Sequence, residues 1–220
     1  MRIGIIGAGR IGGTLTRRFR QLQHDVRVAN SRGPESLSEL AAETGASAVT
    51  VPDALREADV VVVTIPLKNV PMLPYRLFSD VPARVAVIDT CNYYPQRDGR
   101  IAEIEDGLPE SRWVERQIGH PVIKAFNNIY AQHLLEHGKP KGAAGRIALP
   151  IAGDDRAAKD IVLQLVEELG FDAVDAGGLD ESWRQQPGSP VYAKDLDAEG
   201  ARRALAEATP ERSAEWRAQS

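Results

Sequence analysis

A chain of 220 residues, 43% hydrophobic and 26% charged, has an ordinary globular composition and is long enough for one domain with an appendage. Its formal net charge of −4 offers no basic field to a nucleic-acid backbone, and no apolar stretch approaches the roughly 20 residues of a membrane helix. The single cysteine, Cys91, excludes an internal disulfide and a multi-cysteine zinc site. Met1-Arg2-Ile3 leads straight into an apolar run, unlike a signal peptide, so the expectation is a cytoplasmic protein with neither a nucleic-acid nor a membrane partner.

Short apolar runs rich in Val and Ile recur in chain order at 3–6, 26–29, 60–65, 85–88, 121–125, 147–151 and 171–174, and they read as strands buried on both faces. Amphipathic stretches lie between them. A helix follows the first strand through Ile11, Leu15 and Phe19; another opens near Pro34 and closes at Gly45; a third runs from Ala157 to Leu169 with Gly170 as its cap. Strands alternating with helices require crossover connections. The predicted fold is therefore α/β, a Rossmann doubly wound, mostly parallel sheet with helices on both faces and a short C-terminal helical extension. The pattern weakens near Gly177: 185–190 reads as loop, and 198–208 as a charged helix. The expected division is a Rossmann NADP-binding domain over 1–179 and a loop and helical extension over 180–220.

Gly7-Ala8-Gly9-Arg10-Ile11-Gly12 fits G-x-G-x-x-G and stands where its mechanism needs it, directly after a strand and opening a helix. Gly7 permits the sharp turn, Gly9 lets the backbone approach a pyrophosphate, and Gly12 lets the helix pack closely on the strand, while helix amides face the phosphates. The second strand ends in Ala29-Asn30-Ser31-Arg32, where an NAD site places an acid on the ribose hydroxyls. A hydroxyl and a guanidinium, Ser31 and Arg32, stand there instead. Those groups suit a 2′-phosphate, so the expected cofactor is NADP(H). Thr64, Ile65 and Pro66 close the strand at 60–65 and should line the cofactor. Cys91, Asn92, Tyr93 and Tyr94, then Ala125 and Asn127, bring further side chains to the same edge of the sheet.

With Ile5-Ile6 and the glycine turn, Asn30-Ser31-Arg32, Thr64-Ile65-Pro66, Lys124-Ala125-Phe126-Asn127, Ile151-Ala152-Gly153-Asp154-Asp155 and Asp175-Ala176-Gly177-Gly178-Leu179, the chain resembles the NADPH-dependent coenzyme F420 reductase family over Arg2 to Leu179. Its N-terminal architecture is also similar to that of pyrroline-carboxylate reductases. The resemblance implies direct hydride transfer between nicotinamide C4 and deazaflavin C5, which needs positioning and no catalytic side chain. It places Ala8, Gly9, Arg10 and Ile11 on the pyrophosphate, Ser31 and Arg32 on the 2′-phosphate, and Thr64, Pro66 and Asn127 on the nicotinamide side. The partner it implies is a small-molecule redox substrate, coenzyme F420 first. Two alternatives stay open: reduction of a small imine or carbonyl compound, with a tyrosine or His120 as proton donor, and a non-catalytic NADP(H) sensor. A homodimer is left open as well.

Other residues read more plainly. Cys91 lacks a neighbouring cation that would activate it, and His120 starts a strand on the side away from the ligand. Asp154 and Asp155 read as helix-start residues. His133 and His137 have the i, i+4 spacing of a metal pair beside Glu136, but no third ligand is evident nearby, so no metal is expected.

Overall fold

The computed structural model describes residues 1–218; the last two residues of the predicted extension lie outside the described residues. The chain runs β1 (Arg2–Ile6), α1 (Arg10–Gln21), β2 (Asp25–Ala29), α2 (Ser38–Thr44), β3 (Ser47–Ala48), α3 (Val51–Leu55), β4 (Val60–Val63), β5 (Ala86–Asp89), α4 (Pro95–Asp98), α5 (Ala102–Glu105) and α6 (Glu110–Ile118). It continues through β6 (Ile123–Lys124), α7 (Ala131–Glu136), β7 (Ala148–Ile151), α8 (Arg156–Glu168), β8 (Asp172–Asp175) and α9 (Ala198–Glu207). Turns of 3₁₀ helix fall at Pro34–Leu37, Leu67–Met72, Leu179–Gln185 and Ala214–Trp216.

β1 to β6 form one parallel sheet in the order β3-β2-β1-β4-β5-β6, so the strand order reverses between β1 and β4. Successive residues of a strand point to opposite faces, and both faces are covered here. Ile3, Ile5, Val60 and Val62 pack with Leu15 and Phe19 of α1 and Val162 and Leu165 of α8. Ile6, Val61, Val63 and Val87 pack on the other face with Ala54 of α3 and Trp113 of α6. The Rossmann α/β architecture is as expected.

β7 and β8 pair parallel as a separate two-stranded sheet, with α8 on one face and α9 against Ala148, Val174 and Val191 on the other. A single antiparallel bridge between Lys124 and Ala152 ties this unit to the main sheet, each amide donating to the other's carbonyl at 2.8 and 3.1 Å. Two strand expectations change in extent, and one strand was not expected. The run at 121–125 contributes only Ile123–Lys124, because Pro121 has no N–H and Phe126, at φ 60°, turns the chain away. The run at 60–65 leaves the ladder after Val63, which frees Thr64 and Ile65 to face the cleft. Ser47–Ala48 forms a strand too short to show a period. Gly45 closes α2 in the left-handed conformation, as expected, and Gly170 turns the chain after α8 at φ 93°.

Candidate active site

The glycine turn links β1 to α1 at the carboxyl edge of the sheet, beside the point where strand order reverses. Gly7 has φ 111°, and a Cβ built on it would lie 2.1 Å from the carbonyl oxygen of Thr64. A Cβ on Gly12 would lie 1.9 Å from the carbonyl oxygen of Gly7. Both positions therefore exclude any side chain. Gly9 is different: a Cβ there would meet nothing within 4 Å, although the residue lines the cleft. Gly9 is the N-cap of α1 with no side-chain cap, and the first turn carries no acid. The amides at this end are thus left for an external anion, and the site fits a dinucleotide's pyrophosphate.

A cleft of about 710 Å³ opens over this turn. It gathers Gly7, Ala8 and Gly9 from the turn, Asn30, Ser31 and Arg32 from the end of β2, and Thr64, Ile65 and Pro66 from the end of β4. Asn30 shapes its own loop: Oδ1 accepts from the Arg32 amide at 2.8 Å and Nδ2 donates to Ser36 Oγ at 2.8 Å. That turn leaves the Ser31 and Arg32 side chains exposed at the cleft.

The remaining predicted positions fall outside the cleft lining. Arg10 and Ile11 form the first turn of α1, Arg10 exposed and Ile11 half-buried, and Gly12 is buried against the turn. Ala125 is fully buried. Asn127 is buried with its amide engaged, Nδ2 donating to Asn92 Oδ1 at 3.1 Å and to the Gln185 carbonyl at 2.7 Å, while Oδ1 accepts from Gln185 Nε2 at 3.0 Å. Sequence reasoning missed Thr50 and Val51, beyond β3, and Asn69, Met72 and Leu73, beyond Pro66, all of which line the cleft. The rule that ligands lie outside the carboxyl ends of parallel strands could have found both groups, had β3 been legible.

A fully buried ion pair joins the carboxyl ends of β5 and β6. Lys124 Nζ donates to Asp89 Oδ2 at 3.3 Å and to the Cys91 carbonyl, and Asp89 also accepts from Ser111 Oγ at 2.7 Å and the Cys91 amide at 2.8 Å. These partners satisfy a charge that could not otherwise be buried. Lys124→Met is expected to cost about 3–5 kcal/mol by leaving Asp89 uncompensated, with part of the loss recovered on adding Asp89→Asn. Urea denaturation measures it, and a loss below about 1 kcal/mol would mean that the pair contributes no more than a surface one. Burial pushes the Cys91 thiol well up even though Lys124, a cation that the sequence did not place near it, stands alongside.

Tyr93 is buried, its amide donating to Glu110 Oε2 at 3.0 Å, and burial pushes its phenol up to about 12. Arg212, from the tail, pairs with the buried Glu110. Tyr94 and Tyr192 join through their hydroxyls, with Trp216 packed on both rings at centroid distances of 5.9 and 6.0 Å. His120 donates from Nδ1 to the Pro121 carbonyl at 2.9 Å, at the start of β6 and so away from the carboxyl edge. Asp155 caps α8 through the Ala158 amide, as expected, but Asp154 does other work. Its carboxylate accepts from the Leu179 amide at 2.8 Å and from Arg112 at 2.6 Å, pinning the segment that leaves β8.

Residues 2–93 match the family model described as NADP oxidoreductase, coenzyme F420-dependent. The F420-dependent NADP reductase of Methanothermobacter thermautotrophicus is 30% identical over 204 residues, covering 83% of this chain and 83% of that protein. The chain belongs to this family. Membership of the coenzyme F420-dependent NADP oxidoreductases brings NADP(H) as cofactor, in agreement with the glycine turn and the absence of an acid after β2. The putative protein YjhV of Escherichia coli K12 is 46% identical over 66 residues, 30% of this chain and 48% of that protein, so the match spans about half of YjhV. Among solved structures, the hypothetical protein SMa0349 of Sinorhizobium meliloti superposes with a TM-score of 0.75 at 33% identity, covering 89% of this chain and 95% of that one. No helix among the described residues is long and apolar enough to cross a membrane.

Proposed function

We propose that this family member transfers hydride between NADP(H) and a flat redox acceptor, with the deazaflavin coenzyme F420 as that acceptor. The observation that carries the reading is the cleft itself, in which the glycine turn, the exposed Ser31 and Arg32, and Thr64 to Pro66 line one continuous surface. When bound, the nicotinamide supplies a hydride at C4. The chain's own part is placement and the exclusion of water. Amides of Ala8, Gly9, Arg10 and Ile11 hold the pyrophosphate, and Ser31 and Arg32 hold the 2′-phosphate by charge-assisted hydrogen bonds. Thr64, Ile65 and Pro66, each half-buried, border the nicotinamide side. Asn127 acts behind them by fixing Asn92 and Gln185, and Ala125 by close packing. No side chain is assigned as nucleophile or acid, since the hydride passes directly from ring to ring and the proton that completes the reduced deazaflavin is taken from solvent.

The proposal includes an NADP-binding unit over 1–179 with an extension over 180–220, a cytoplasmic setting, and a homodimer. Light scattering that finds only monomer at micromolar concentration rejects the dimer. The reaction is tested by following the absorbance of oxidised F420 with purified protein and NADPH, beside an identical run with NADH. Bleaching with NADPH and little with NADH is expected; no bleaching, with NADPH binding demonstrated in the same sample, removes the deazaflavin as acceptor.

A further inference from the structure

The histidine pair that spacing alone left without a third ligand acquires one in the fold. α7 carries His133, and His137 stands at its C-cap, so the two imidazoles share one side of the helix and stack with centroids 4.5 Å apart and planes 18° apart. Asp195 arrives from the segment between Tyr192 and α9, 2.7 Å separating its Oδ2 from His133 Nδ1. One ligand atom from each of the three residues lies within 4.8 Å of the others.

That arrangement is built by the backbone. The Ala193 amide donates to the Asn128 carbonyl at 3.0 Å, and Ala193 itself adopts φ 53°, a left-handed conformation uncommon for alanine. The segment that delivers Asp195 is thus pinned to the loop that opens α7. His133 Nδ1 is shielded from solvent, yet it makes no aligned hydrogen bond despite its closeness to the carboxylate. An ion between the two groups would satisfy that nitrogen, and two imidazoles with one carboxylate are a donor set suited to zinc. Tetrahedral coordination at bond lengths of about 2.0–2.2 Å puts ligand atoms roughly 3.3 Å apart, a spread within reach of the observed cluster.

We propose that His133, His137 and Asp195 form a binding site for a divalent transition metal of the zinc class, held by three protein ligands and clamping the segment before α9 onto α7. The site shares no residue with the cofactor cleft, so it stands or falls independently of the proposed reaction.

The test uses full-length, tag-free protein stripped of metal and titrated with Co²⁺, read by visible absorption and by displacement with Zn²⁺. One equivalent per chain is expected, with His137→Ala and Asp195→Asn each weakening binding at least about tenfold. Zn²⁺ should raise the thermal midpoint of the wild type and leave that of either variant unmoved, while the metal-free midpoints and circular dichroism of the variants show that they fold. Unchanged affinity in Asp195→Asn would reduce the site to a helical histidine pair and overturn the proposal. Binding only at millimolar metal, or a Zn²⁺ effect on the midpoint that persists in Asp195→Asn, would overturn it as well.

Discussion

Gly12→Ala is expected to lose about 3 kcal/mol of stability or more, while Gly9→Ala, three residues earlier in the same motif, keeps wild-type stability and binds NADPH about tenfold more weakly. The difference lies in what a methyl group meets. At Gly12 it would sit 1.9 Å from the Gly7 carbonyl oxygen and 2.8 Å from Thr64 Cγ2, so β1, α1 and the end of β4 must part to admit it. The first of those neighbours is backbone and has no rotamer to change. At Gly9 the backbone, at φ −72° and ψ −161°, suits alanine, and nothing of the protein lies within 4 Å of the new atom. In the proposed binding mode the methyl group would stand in the path of the pyrophosphate, and a loss on the order of tenfold in NADPH affinity corresponds to about 1.4 kcal/mol. Urea denaturation and calorimetric titration of both variants measure the pair of effects. A Gly9→Ala protein that binds NADPH as tightly as the wild type would remove the pyrophosphate from this turn.

Arg32→Ala is expected to weaken NADPH by about tenfold to a hundredfold and to leave NADH almost unchanged. A hydrogen bond to a charged group contributes about 1.5–3 kcal/mol, and the 2′-phosphate is the one group that distinguishes the two cofactors. The geometry favours a clean result, since Arg32 is exposed and the loop is held by Asn30 and Ser36, neither of which needs the guanidinium. Stability should therefore stay within about 0.5 kcal/mol of the wild type. Titration with each cofactor in turn gives the comparison, and equal losses for both would show that Arg32 does not read the phosphate.

The parts of this molecule that were legible in its sequence are those set by local chemistry. Val60-Val61-Val62-Val63 can be buried only on two faces, Gly7 and Gly9 announce a turn wherever a strand meets a helix, and Gly45 marks a helix end. What stayed hidden depends on partners far along the chain. Asn127 gave no sign that Gln185 would occupy its amide, nor Asp154 that Arg112 and the Leu179 amide would, because hydrogen bonds between remote segments leave no periodic trace. The same holds for Asp195 beside His133. The split of β7 and β8 from the main sheet was illegible for a related reason: a buried run reads alike in either sheet, and only the turn at Phe126 and the bridge at Ala152 decide.

The most direct test of hydride transfer in this cleft is a single-turnover reaction of the protein with oxidised F420 and NADPH carrying deuterium at both C4 positions, analysed by mass spectrometry. Direct transfer predicts one deuterium on the reduced deazaflavin and none released to water. Deuterium found in the solvent, or both deuterium atoms retained on the nicotinamide while NADPH is demonstrably bound, would contradict it.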